Sequence, residues 1–116
     1  MKRKTVSDFF EELNNLENTI YAVDITNNFE KSLRKSYNRN LDLDVLLKIL
    51  HKLAKGEVLD RKHKMHKLKG NLAGIMECHV LPDWLLLWRQ DNEQLILLLL
   101  DTGTHSDLYG KNIKYK

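Results

Sequence analysis

The sequence predicts an α+β domain in which a two-helix hairpin packs on a small, mainly antiparallel four-stranded sheet, in the order β-α-α-β-β-β with an extra helix in front. Three observations predict it. The first half holds amphipathic stretches with apolar residues at helical spacing. A short β-branched run, Ile20-Tyr21-Ala22-Val23-Asp24-Ile25-Thr26, stands between the first two of these stretches. The second half reads as strand-like runs broken by turn residues, including the sole proline, Pro82. At 116 residues and 42% hydrophobic, the chain has room for one modest core.

Taken in order, residues 1–19 read as a short helix, with Val6, Phe9, Phe10, Leu13 and Leu16 on one stripe and Thr5 or Ser7 as its cap; this piece reads as an extension of a domain spanning 20–116. Residues 20–26 are the first strand. Asn27 or Asn28 caps a helix whose Phe29, Leu33 and Tyr37 share a face, and Asn40 or Asp42 caps another striped by Leu43, Leu46, Leu47, Leu50, Leu53 and Ala54. Gly56 closes it. The stretch Arg61–Gly70 is too polar for a buried element and reads as a loop. Strands follow at about 72–81, 84–90 and 94–102. The run Leu95–Leu100 lacks alternation, which predicts a central strand buried on both faces.

Charge is unevenly spread. Net charge is +3, but residues 28–69 carry 12 Lys/Arg against 5 Asp/Glu. Such a local excess attracts polyanions, phosphate chains above all. A single cysteine, Cys78, leaves no intrachain disulfide framework and fits a reducing compartment. No signal peptide is read at the N-terminus, and the longest apolar run is far short of the ~20 residues a spanning helix needs.

Two segments carry acid–base vocabulary: Glu77-Cys78-His79-Val80-Leu81-Pro82-Asp83-Trp84 and Thr102-Gly103-Thr104-His105-Ser106-Asp107-Leu108-Tyr109. Regular strand alternation would set Glu77, His79, Leu81 and Asp83 on one side, with Glu77 and His79 about 7 Å apart and Cys78 and Val80 toward the helices. His105 follows a glycine at a strand end, where an imidazole can exchange protons near neutral pH. Trp84 and Tyr109 can stack on splayed bases, whereas Trp88 reads as core. His63, His66, Cys78 and His79 make zinc worth considering, but adjacent strand residues face apart and no C-x-x-C or H-E-x-x-H pattern is present, so no metal or other cofactor is expected.

Taken together, His66-Lys67-Leu68-Lys69-Gly70, Glu77-Cys78-His79-Val80, Pro82-Asp83-Trp84-Leu85-Leu86 and Thr102 to Tyr109 have an order and spacing that resemble the RelE superfamily of bacterial type II toxins, and within it the YafQ-like mRNA interferases, over roughly residues 20–110. The resemblance implies a metal-independent endoribonuclease that cuts mRNA in the ribosomal A site by attack of a 2′-hydroxyl on the adjacent phosphate. It implies His105 as general acid, His66 and His79 with Asp83 as base and phosphate binders, Glu77 as a further acidic group, and Tyr109 as an aromatic that positions substrate. Trp84, Lys64, Lys67, Lys69 and Arg89 are the expected RNA contacts. The implied partners are a RelB- or DinJ-like antitoxin, the ribosome and mRNA in the cytoplasm, with the free toxin monomeric and a hetero-oligomer formed with the antitoxin. One departure matters: the family commonly has an arginine before Thr-Gly-Thr-His, and this chain has Asp101. A carboxylate facing the substrate would repel it, which opens the alternative of a weakened or inactive protein that binds an antitoxin without cutting RNA. Arg89 or Lys67 could replace the missing cation. A ParE-like gyrase poison on the same fold is a third reading, disfavoured by this set of histidines.

Overall fold

In the computed structural model, residues 3–110 are described; residues 1–2 and 111–116, the ends of the two expected segments, lie outside them. Helix α1 spans Val6–Asn14. Thr5 caps it through a reciprocal pair with Asp8: each side chain accepts the other's backbone N–H at 3.0 Å. Val6, Phe9 and Leu13 are its buried stripe, and the Phe9 ring lies 6.4 Å from that of Phe29 on the next helix. Strand β1 is Ala22–Ile25.

Helix α2 runs Asn27–Asn38 and α3 runs Leu43–Ala54. Thr26, rather than Asn27 or Asn28, caps α2: its hydroxyl accepts the Phe29 N–H at 3.0 Å and donates to the Leu100 carbonyl at 2.9 Å. Asp42 caps α3, accepting from the Asp44 N–H. Gly56, just past the end of α3, has φ +77°, and the N–H groups of Glu57 and Gly56 return to the carbonyls of Lys52 and Leu53. That is the glycine-dependent helix stop, and a Cβ there would meet Ile20 at 2.7 Å.

The sheet has five strands, one more than expected, in the order β1-β5-β4-β3-β2. The additional strand is β2, His66–Lys67, within the stretch read as a loop; β3 is Met76–Leu81, β4 Trp84–Asp91 and β5 Ile96–Gly103. β1 joins β5 in parallel and the other pairs are antiparallel. β5 is an interior strand, second from the edge, rather than the central one, which is β4, and its burial alternates. Leu97 and Leu99 are fully buried toward the helices, whereas Ile96, Leu98 and Leu100 are only half-buried. Among the described residues no helix layer covers the far face along its length, and the apolar run is only half-buried there. A small second cluster, Ile75, Leu85, Leu87 and Leu108, fills one end of that face beneath α4, His105–Tyr109. The main core lies between the helices and the opposite face, and Cys78 and Val80 point into it. Burial, with a smaller push from neighbouring Glu77, raises the Cys78 thiol to about 12, so it stays protonated and inert. Among the described residues no helix is long and apolar enough to cross a membrane.

Candidate active site

Register places the first members of the site. In the β2–β3–β4 ladder, His66 stands opposite Glu77 and Glu77 opposite Leu87; the β4–β5 register shifts at Leu87/Trp88, so the pairing does not carry Asp101 onto this face. Paired residues share a face, so His66 and Glu77 rise together on the face away from the helical hairpin. The His66 Nε2 lies 3.3 Å from Glu77 Oε1, and the His79 Nε2 lies 4.0 Å from the same oxygen. The side chains thus converge more closely than the strand rise alone requires. Tyr109, from α4, donates its hydroxyl proton to Glu77 Oε2. One buried carboxylate therefore gathers a tyrosine and two imidazoles.

The other half comes from two turns. Regular alternation past His79 fails, because the β3–β4 register shifts between His79 and Leu81. Leu81 turns outward and Asp83 enters the tight β3–β4 turn. There its Oδ1 accepts from the His105 backbone N–H at 2.9 Å and pairs with the His105 Nδ1 at 2.6 Å. The backbone bond, then the imidazole, holds the Asp83 carboxyl below the usual range. The His105 and His79 rings meet edge to face, centroids 5.4 Å apart, which joins the two halves. Thr104 caps α4 reciprocally with Asp107, and Asp107 is gripped by Arg39 at 2.6 Å and Lys35 at 3.2 Å from α2. Arg39 foremost holds the Asp107 carboxyl well below its ordinary value. The helical hairpin thereby fixes the short helix that carries His105 and Tyr109.

A pattern not visible in the sequence governs the imidazoles. His66 Nδ1 faces the Lys64 carbonyl at 2.6 Å, His79 Nδ1 the Pro82 carbonyl at 3.2 Å, and His105 Nδ1 the Asp83 carboxylate. Oxygens of these kinds only accept, so Nδ1 carries the proton in each ring and Nε2 is presented for chemistry. His63 follows the same rule, with Nδ1 2.6 Å from the His79 carbonyl.

Glu77, His66, His79, Asp83, His105 and Tyr109 are therefore brought together. Trp84 is not with them. It is 1% exposed, packed in the main core, with its indole N–H donated to the Thr102 hydroxyl at 2.9 Å, so it has no face to offer a base. Arg89 is exposed on the cleft's side of the sheet, but its guanidinium lies by Gly74, beyond Leu87 and away from the His79–His105 pair. Lys64, Lys67 and Lys69 are exposed around β2. Lys67 alternates with His66 and so faces away from Glu77. Asp101 does not reach the cleft either. It is 1% exposed, and its carboxylate accepts from Asn28 Nδ2 at 2.7 Å, the Thr102 N–H at 2.8 Å and the Ser32 hydroxyl. It ties β5 to α2 rather than confronting a phosphate. A cavity of about 980 Å³ lies elsewhere, between α1 and the start of α3; Asp8, Glu11, Glu12, Asp42 and Asp44 outnumber Arg3 and Lys4 in its lining and make it unfavourable to RNA. Among the described residues, no three or more His, Cys, Asp or Glu side chains are grouped to hold a metal ion.

The fold and the cleft define a small α+β protein with histidines and carboxylates set for proton transfer at one end of its sheet. Over residues 21–110 the chain matches the family described as the bacterial toxin of type II toxin–antitoxin systems, YafQ, and it belongs to that family. It is 27% identical over 89 residues to the mRNA interferase toxin YafQ of Escherichia coli K12, covering 76% of this chain and 95% of that protein. Its fold is similar to YafQ in the E. coli DinJ–YafQ toxin–antitoxin complex, with a TM-score of 0.72 and 26% identity over 78% of this chain and 99% of that one. It is also similar to a metal-bound toxin from Helicobacter pylori, with a TM-score of 0.71 and 34% identity over 75% and 97% of the two chains.

Proposed function

We propose that this toxin is a ribosome-dependent endoribonuclease that cuts mRNA in the A site. The observation that carries the reading is the convergence of His66, His79 and His105 on one cleft, with Glu77 Oε1 facing the Nε2 atoms of the first two and Asp83 behind the third at Nδ1. RNA cleavage by its own 2′-hydroxyl needs this kind of two-ended arrangement. A base takes the 2′-hydroxyl proton, the 2′-oxygen attacks phosphorus, and an acid protonates the departing 5′-oxygen, leaving a 2′,3′-cyclic phosphate. Asp83 orients His105, which suits it as the acid. His66 or His79 takes the proton at Nε2, where Glu77 Oε1 faces it, and the other imidazole binds the phosphate. Tyr109 holds Glu77 in place and offers its ring edge to the substrate. None of these proton transfers requires a metal.

The weakened or inactive alternative rests on repulsion by Asp101 and on the absence of an arginine at that position; the engagement of the Asp101 carboxylate with α2 argues against the first of these. The basic stretch over residues 28–69 suits ribosomal RNA, and an antitoxin segment of acidic or amphipathic character would cover the cleft or this surface. A toxin with these targets works in the cytoplasm. Primer extension on mRNA held by translating ribosomes tests the reading. Wild type cleaves in the A-site codon, and His105→Ala loses about 10²–10⁴ in rate. Absence of cleavage with programmed ribosomes, or full activity of His105→Ala, defeats it.

A further inference from the structure

Below Glu77, the outer edge of β3 has no strand partner, because β2 spans only His66–Lys67. The turn Arg61–His63 and helix α3 flank that edge instead, and between them runs a groove of about 400 Å³. Its floor is apolar, built from Val45, Ile49, Val80, Leu81 and Pro82, and Leu81 is 43% exposed there. Its rim is basic: Lys48, Lys52 and Lys62 stand over it, with Asp60 the one carboxylate in the lining. Lys48 is partnered by Asp44 at 3.3 Å, whereas Lys52 and Lys62 are exposed and make no ion pair among the described residues. His79 lines both this groove and the cleft, so the two are continuous. His63 lines it too, with its Nδ1 proton given to the His79 carbonyl and its Nε2 left available.

We propose that this groove is a second RNA subsite, which takes the mRNA nucleotide next to the scissile phosphate. The base rests on the Leu81–Pro82 floor, and its phosphate is held by Lys52, Lys62 and His63 Nε2. Three features select this occupant. The rim has the charge of a phosphate binder. The floor gives a base the apolar contact it loses on unstacking. And the groove opens from the cleft at His79, where a strand threaded past the reacting phosphate must leave. The hydrogen bond from His63 to the backbone of His79 further makes occupancy of the groove felt at a reacting imidazole. This inference rests on the endonuclease reading, and its test separates the two.

The probe is a fluorescent single-stranded RNA with 2′-O-methyl groups throughout, which binds but cannot be cut. Anisotropy is measured over a salt series for wild type, for Lys52→Gln/Lys62→Gln, and for a charge-matched control on α2, Lys31→Gln/Arg34→Gln. Two lost phosphate contacts at about 0.7 each lower the log–log salt slope by about 1.4 in the groove variant, and affinity falls roughly tenfold or more at low salt. The control, which removes the same charge from the basic stretch away from the groove, lowers the slope clearly less than the groove variant does, and an equal fall in both overturns the subsite. In ribosome-programmed cleavage the groove variant shows a raised KM with kcat unchanged. Equal slopes for groove variant and wild type overturn the subsite. So does a defect confined to ribosomes and absent with the free oligonucleotide, which would assign the lysines to ribosomal RNA. So does one confined to an acidic protein partner. If wild type cuts nothing while the groove variant still loses oligonucleotide binding, the nuclease reading fails and the groove stands.

Discussion

Asp101→Arg restores the residue expected from related toxins, and the structure predicts that it damages the protein. The native carboxylate is 1% exposed and accepts from Asn28, Ser32 and the Thr102 N–H. An arginine has only donors, so all three partners lose their acceptor and a second charge must be buried. The Thr102 N–H is itself buried, and leaving it unsatisfied costs about 1–3 kcal/mol. Asn28 and Ser32 are only partly buried and can rehydrate, at roughly 0.5–1 kcal/mol each. Removal of the native buried charge offsets part of this, and forcing the longer side chain into the space adds to it. The balance is a loss of about 3–5 kcal/mol, the usual range for breaking a buried charged pairing. At roughly 3–6 °C per kcal/mol for a chain of this size, the melting temperature falls by some 10–25 °C. Thermal and urea unfolding followed by circular dichroism measure the loss, and ribosome-programmed cleavage at a temperature where the variant remains folded measures activity. Asp101→Asn keeps shape and one acceptor and costs less. A variant Asp101→Arg that melts with wild type and cuts faster would refute the reasoning, because the side chain would then face the substrate.

Two further outcomes follow from named contacts. Asp107→Asn loses the grip of Arg39 and Lys35 and half of the α4 cap, at about 1–2 kcal/mol near neutral pH. Because the folded carboxyl sits below its unfolded value of about 4, the native advantage is complete above that pH and shrinks as acid protonates the group, so wild type and variant converge in acid; a difference independent of pH in urea titrations counts against this. Phe9→Ala empties a fully buried site against Phe29 and costs about 3–5 kcal/mol, whereas a dispensable N-terminal extension would register less than about 1 kcal/mol in the same unfolding measurement.

The parts legible in the sequence are those that local chemistry dictates. Helical spacing located α1, α2 and α3, and the unalternating leucines located β5 but misplaced it at the sheet centre with both faces buried. The residues of the cleft were found through a shared pattern of short blocks, since none of the histidines is distinctive alone. What the sequence concealed depends on distant partners. β2 is two polar residues long and exists because Glu77 and Met76 lie beside it. Trp84 was read as a stacking platform because an indole suits core and cleft equally, and only the Thr102 hydroxyl, 18 residues away, shows which. Asp101 looked like a hostile charge until α2 supplied Asn28 and Ser32 from 73 and 69 residues earlier. The bulge after His79 has no local signal, yet it lets Asp83 reach His105.

The position of β5 bears on when this fold closes. Among the described strands β5 is the last to emerge during synthesis, and β1, made first, has no partner until Ile96–Leu99 arrive. His105 and Tyr109 follow later still. A nascent chain that lacks these residues has neither a joined sheet nor the α4 half of the cleft. Such long-range closure also slows folding. The fold of the toxin is therefore not complete until β5 and α4 have both been made.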